Sequence, residues 1–203
     1  MRLFIIRHGD THHNRDEVFR GRADIHLDDS GEAQAAATGR ALSGSGLCAV
    51  YASPLSRTVE TARAIAAPHG LPVETVDGLN DIDVGLWEGL PVKRVRSEYG
   101  IEFVAWQTGP ELFRFPGGES LSDVSRRSTD ALSSIISSHG QGDSIAIVSH
   151  RVVAKLLLLH MVGAPVSSFW NISQDPCCIN LIQCTDLGYI LHKVNDTSHL
   201  ASL

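Results

Sequence analysis

Short apolar runs and longer amphipathic stretches alternate along the chain. Runs at Leu3 to Ile6, Leu47 to Tyr51 and Ser144 to Val148 read as strands, the first of them buried on both faces, and Cys178 to Gln183 and Tyr189 to Val194 add two more. Helical patterns separate the early runs. Ser30 is a candidate N-cap for "GEAQAAATGRALSG", which closes on Gly44. A second helix fits Pro54 to Ala67, ended by Pro68 and Gly70, and a third fits Ser120 to Ser138 after "PGG". A fourth starts near Arg151, directly after a strand. This order predicts an α/β fold, a three-layer α/β/α sandwich with a mostly parallel central sheet and its ligand site at the carboxyl ends of the strands.

Residues 84–118 are less regular, with Gly, Pro and the aromatics Trp87, Phe103 and Trp106, and read as a segment covering the site. No stretch resembles a linker, so the 203 residues are expected to form one domain over 1–203. An apolar fraction of 43% with 20% charged residues supports a sizeable core. The formal charge of −6 argues against a nucleic-acid partner, which would call for excess Lys and Arg, so any anion site must be local. No run approaches a bilayer span and the N-terminus lacks a leader pattern, so no membrane partner is expected. Cys48, Cys177, Cys178 and Cys184 show no paired C-x-x-C spacing; the adjacent pair favours a reducing, cytoplasmic setting.

Two strand ends carry the chemistry. "LFIIRHG" delivers Arg7 and His8, and "SIAIVSHR" delivers His150 in the same way. Both imidazoles are expected at one edge of a parallel sheet, and "YASPLSRTVETA" sets Arg57 in the first turn of the helix after another strand. Arginines converging beside histidines suit a phosphoryl group, because a planar guanidinium grips two of its oxygens. Like charge lowers a histidine pKa and keeps a ring nitrogen free to attack phosphorus. His8 is the candidate nucleophile.

These residues resemble the histidine phosphatases, the superfamily that includes the cofactor-dependent phosphoglycerate mutases. "RHGDTHHN", "LDDSGEAQA", "YASPLSRTVETA", "GLWEG", "PGGES" and "VSHR" stand in that family's order from Met1 to about Leu200. The resemblance implies a phosphoglycerate mutase-like fold, a phosphohistidine at His8, phosphate contacts from Arg7, Asn14 and Arg57, and transition-state support from His150. It also implies a general acid four residues before the glycine of the "G-x-W-E-G" segment. The family has glutamate there; this chain has Asp81, one methylene shorter, with Asp83 as the second candidate. Arg151 replaces the family's glycine after the second histidine, either adding a cation at the pocket mouth or packing outward.

A magnesium-dependent aspartyl nucleophile would need a strand before "DIDVG", a thiol phosphatase a Cys followed six positions on by Arg, and a nucleotide-triphosphate site G-x-x-x-x-G-K-[ST]; none is present. A metal hydrolase built on "HGDTHHN" conflicts with the neighbouring arginines, so neither metal nor other cofactor is expected. The short cover, about Leu90 to Pro116, favours a phosphatase acting on small phosphorylated metabolites. A mutase, or a phosphate-binding module if Asp81 cannot act, are the alternatives. The likeness is strongest to the small broad-specificity and metal-independent phosphoserine phosphatases. Arg20, Gly21, Arg22 and Arg151 are assigned to substrate binding, with Arg20 and Arg22 as recruiters of a substrate carboxylate or second phosphate. Phe19, Trp87, Phe103, Trp106 and Phe113 are candidate pocket walls, and His12 and His13 are expected in a solvent-facing loop. A homodimer is allowed for.

Overall fold

A computed structural model describes residues 1–15 and 17–203, apart from the side chains of Asn14 and Arg15. Six strands, β1 (Arg2–Arg7), β2 (Ala49–Ala52), β3 (Val73–Thr75), β4 (Ser144–Ser149), β5 (Ile179–Thr185) and β6 (Gly188–Asp196), form one sheet in the order β3-β2-β4-β1-β5-β6. The first four run parallel, and β5 and β6 close the sheet as an antiparallel hairpin. The mostly parallel α/β sheet agrees with the expectation. β3 has no counterpart in the sequence reading, because its three residues, Val-Glu-Thr, lie half-buried or exposed at the sheet edge and offer no apolar run.

Residues alternate between two cores along each central strand. Leu3, Ile5, Ala49, Tyr51, Ile145 and Ile147 face one side with α6 (Leu121–Ser137) and α7 (Arg151–Met161). Phe4, Ile6, Val50, Ala52, Ala146 and Val148 face the other with α2 (Asp29–Leu42) and α3 (Ser56–Ala66). This period-two split, apolar on both faces, is why the strands read as continuous hydrophobic runs.

The helix ends correct the sequence reading in detail. Asp28, not Ser30, caps α2, its carboxylate accepting from Gly31 N at 2.9 Å, and the helix ends at Leu42 before Gly44. α3 starts at Ser56 because Leu55 is still extended; after Ala66 a single 3₁₀ turn leads to Gly70, left-handed at φ 66°. Ser120 caps α6 in a reciprocal capping box with Asp123. The covering segment is more regular than expected. A 3₁₀ turn at Gly85–Trp87 precedes α4 (Val92–Glu98) and α5 (Gly100–Thr108), and a four-residue α1 (His12–Arg15) follows β1.

Candidate active site

Sheet register sets the geometry of the site. Arg7 on β1 pairs with Ser149 on β4, so His8 and His150 leave neighbouring parallel strands at the same height. His8 N donates to Ser149 O at 2.9 Å. The two rings meet edge to face with centroids 5.3 Å apart, and both are buried. Gly9 must be glycine: a Cβ there would lie 2.6 Å from the Gly31 carbonyl oxygen, where the start of α2 packs onto the loop.

His8 Nδ1 lies 2.7 Å from Gly9 O. A carbonyl only accepts, so Nδ1 carries the proton and Nε2 keeps its lone pair. Burial holds the His8 pKa well below the ordinary imidazole value, and Arg57, His150, Arg7 and Arg20 press it further down. Burial, then Arg57 and Arg20, act the same way on His150. His150 Nε2 is 2.8 Å from Ser53 Oγ. When that hydroxyl donates, the His150 proton sits on Nδ1, which is 3.5 Å from Asp81 Oδ2.

The cations are fixed by backbone acceptors. Arg7 Nη1 donates to Gln174 O at 2.6 Å. Gln174 is in turn locked to the buried Asn180 side chain, whose amide donates to Ile5 O within β1. Burial, with Arg151 and Arg20 nearby, lowers the Arg7 pKa to about 10. Arg57 is fully buried and donates to Ala23 O (2.8 Å), Gly21 O (3.1 Å) and Asp81 Oδ2 (3.2 Å). Nε of Arg7, Nε of Arg57 and Nδ1 of His150 are buried without a hydrogen-bond partner among the described residues. Unpartnered buried donors on residues around His8 suit a phosphoryl group.

Asp81 reaches the site from the loop after the 3₁₀ turn at Asp77–Leu79. Its Oδ1 accepts from Ile82 N at 2.9 Å, leaving Oδ2 to face Arg57 and His150. Asp83 is elsewhere: its carboxylate accepts from Gly85 N at 2.8 Å and shapes the turn. Arg127 clamps this loop, donating to Gly78 O (3.0 Å), Asn80 O (2.6 Å) and Asp81 O (2.8 Å), with two further bonds of 2.9 Å to Glu119. Burial pushes the Glu119 carboxyl up, but hydrogen bonds from Arg127 and the Asp83 amide, with Arg22 nearby, outweigh it and hold the group below its usual value.

A cavity of about 90 Å³ opens onto His8 and Asp81, with Gly21, Arg20, Arg151 and apolar side chains including Phe19, Trp106 and Phe115 completing its wall; Arg7, Arg57 and His150 surround His8 outside that lining. Arg20 also donates to Thr11 Oγ1 at 3.2 Å. The structure thus brings His8, His150, Arg7, Arg57, Asp81, Arg20, Gly21 and Arg151 together, and turns Arg151 inward to the pocket. Arg22 is a correction. Its guanidinium lies 3.2 Å from Glu119 and 3.3 Å from Asp81 O, outside the cavity wall. The Asn14 side chain lies outside the described residues. Trp87 and Phe113 are also corrections, packed ring on ring into the cover core rather than lining the cavity; Phe103 and His13 line an outer chamber, and His12 is exposed on α1. Ser53, Gln174, Asn180 and Arg127 are supporting residues the sequence reading missed. Ser53 stood inside "YASPLSR", whereas Gln174 holds Arg7 through a backbone carbonyl and so leaves no side-chain signal.

Among the described residues, one cluster of three side chains could gather around a metal ion, Cys48, His139 and Asp143, at the opposite ends of β2 and β4 from this site. The histidines of "HGDTHHN" make no such group with the other described residues.

Paired imidazoles at the ends of neighbouring parallel strands, with two buried guanidinium groups and a loop carboxylate beside them, form a site suited to a phosphoryl group. The family model for the histidine phosphatase superfamily (branch 1) matches residues 3–197, and the chain belongs to that family. It is 31% identical over 200 residues to phosphoserine phosphatase 1 of Hydrogenobacter thermophilus, covering 98% of this chain and 94% of that protein. It is 28% identical over 205 residues to a protein described as "probable phosphoglycerate mutase GpmB" of Yersinia enterocolitica, covering 98% and 95%. The solved structure of Bacillus stearothermophilus YhfR superposes with a TM-score of 0.93 at 28% identity, covering 98% of both chains.

Proposed function

We propose that this histidine phosphatase hydrolyses small phosphomonoesters through a phosphohistidine at His8. The observation that carries the reading is the free Nε2 of His8, set by the Nδ1–H to Gly9 bond and surrounded by cations. In the proposed cycle Nε2 attacks phosphorus in line, and Arg7, Arg57 and His150 neutralise the transferring group. Asp81 gives its proton to the departing alkoxide. Water then attacks the phosphohistidine, with Asp81 taking a proton back. The chemistry asks for no metal.

The chain is read as one domain over 1–203, with 84–118 as cover. Similarity to a phosphoserine phosphatase and the shortness of that cover support hydrolysis. Mutase activity is the second reading, favoured by the GpmB likeness. No helix among the described residues is long and apolar enough to cross a membrane. Three buried, unbridged cysteines support a cytoplasmic placement. The test is turnover of p-nitrophenyl phosphate in excess chelator by the parent and by His8→Ala. Full parent activity and none in the variant is expected; a parent silenced by chelation overturns the reading. Phosphoglycerate interconversion outpacing phosphate release would favour the mutase.

A further inference from the structure

A second chamber of about 600 Å³ opens beyond the inner cavity, sharing Val18, Phe19, Arg20, Trp106 and Arg151 with it. Since the inner cavity holds His8 and Asp81, a bound phosphoryl group there directs its alcohol portion into the outer one. The chamber's size is that of a small-molecule site.

Its walls are of two kinds. Phe19, Phe103, Trp106 and Trp170 supply aromatic surface, and Arg20, Arg96 and Arg151 supply three guanidinium groups against one described carboxylate, Glu17. Arg96 is held over the Phe103 ring at 5.2 Å, and neither it nor Arg151 has an acidic partner among the described residues. Behind the wall, the Lys155 ammonium lies 4.6 Å from the Phe169 ring and 5.1 Å from that of Trp170, donating to Phe169 O. The Trp170 ring already has a cation, so it is a poor receptor for a second. Arg7 and Arg20 lie near one another and near Arg151, with Asp81 and Asp10 offsetting part of the positive charge around Arg20.

From this we infer that the physiological substrate is a phosphomonoester whose alcohol portion carries a second anionic group on an apolar body, and that an ammonium on that portion is rejected. The inference rests on the proposed phosphatase activity and names its substrate class. It parts this chain from what the name of its phosphoserine phosphatase relative indicates, because phosphoserine carries an ammonium beside its carboxylate. Arg151, standing on the boundary of both cavities, is the residue that builds the preference.

The test uses full-length protein and three aryl esters of similar size: 4-carboxyphenyl, 4-(phosphonooxy)phenyl and 4-(aminomethyl)phenyl phosphate. Expected kcat/KM for both anionic esters exceeds that of the aminomethyl ester by about tenfold or more, and the faster of the two identifies the second anion as carboxylate or phosphate. Phosphoserine should likewise be slower than 3-phosphoglycerate, which replaces the ammonium by hydroxyl. In Arg96→Gln and Arg151→Gly the anionic-to-cationic ratio should fall several-fold towards unity. Turnover of all three esters with no charge preference, or an unchanged ratio in both variants, overturns the inference while leaving the phosphatase reading intact. Absence of turnover with any ester, p-nitrophenyl phosphate included, overturns the phosphatase reading itself.

Discussion

Arg57 Nη2 lies 3.2 Å from Asp81 Oδ2, and the guanidinium is wholly buried. The group that would grip the phosphoryl oxygens is therefore the one that holds the proposed acid in place. In the proposed cycle a substrate phosphate would compete with Asp81 for that donor, leaving the carboxyl free to turn towards the leaving oxygen.

This arrangement makes the contribution of Asp81 depend on the leaving group. Asp81→Asn should lower kcat about 10²- to 10⁴-fold for alkyl phosphates, whose alkoxides need a proton. For p-nitrophenyl phosphate, whose leaving group departs unprotonated, the loss should stay below about tenfold. Steady-state kinetics on the two ester classes measure the difference, and equal losses would remove Asp81 from the acid role.

Arg127 touches neither histidine, yet it holds three carbonyls of the loop that carries Asp81. Arg127→Ala removes its five hydrogen bonds to those carbonyls and to Glu119, at a cost to stability of about 2 to 4 kcal/mol. A looser loop should cut kcat for alkyl esters about tenfold with little change in KM, since Arg7 and Arg57 keep their anchors. Arg127→Lys retains the charge without the fork and should recover only part of the rate. Urea unfolding and kinetics on the folded fraction separate the two effects.

Ser53 tethers His150 Nε2 at 2.8 Å. Ser53→Ala should lower kcat about tenfold and leave the phosphoenzyme still able to form, because His8 has its own tether in Gly9. Rapid-quench measurement of phosphoenzyme formation tests this; loss of all labelling would mean Ser53 also holds His8.

Acid should destabilise the fold early. Both histidines have pKa values below that of the unfolded chain, about 6.5, so below that pH the unfolded state binds protons that the native state refuses. Stability is complete above this value and falls as pH drops, by about 1.4 kcal/mol per pH unit for each ring until the native rings themselves protonate. Glu119, held below its usual value, adds a further loss at lower pH. Denaturant midpoints from pH 7 to pH 5 should decline in the parent and more shallowly in His8→Asn.

Much of this site was legible because its residues sit at strand ends. A parallel pair with Arg7 opposite Ser149 leaves no freedom about where His8 and His150 emerge, and an apolar run ending in a histidine shows that in one dimension. Arg57 was legible from its helix start. Arg22 misled because charge and proximity in sequence say nothing of direction: two residues from Arg20, it turns to Glu119 instead of the cavity. The cover was harder to read. Trp87, Phe113 and Phe115 pack on one another, and such ring clusters serve a core and a pocket wall with the same composition. Arg96 and Trp170, which wall the outer chamber, come from α4 and from the turn after α7, and nothing short of the tertiary fold relates them.

The central claim is attack on phosphorus by Nε2 of His8, with Nδ1 engaged by Gly9 O. Acid-free rapid quench with radiolabelled substrate, followed by peptide mapping and phosphorus-nitrogen NMR of the trapped enzyme, reads that atom directly. The account predicts a base-stable, acid-labile phosphoryl group on Nε2 of His8, formed and lost at rates that support turnover. A label on any other residue, or steady turnover without one, would contradict it.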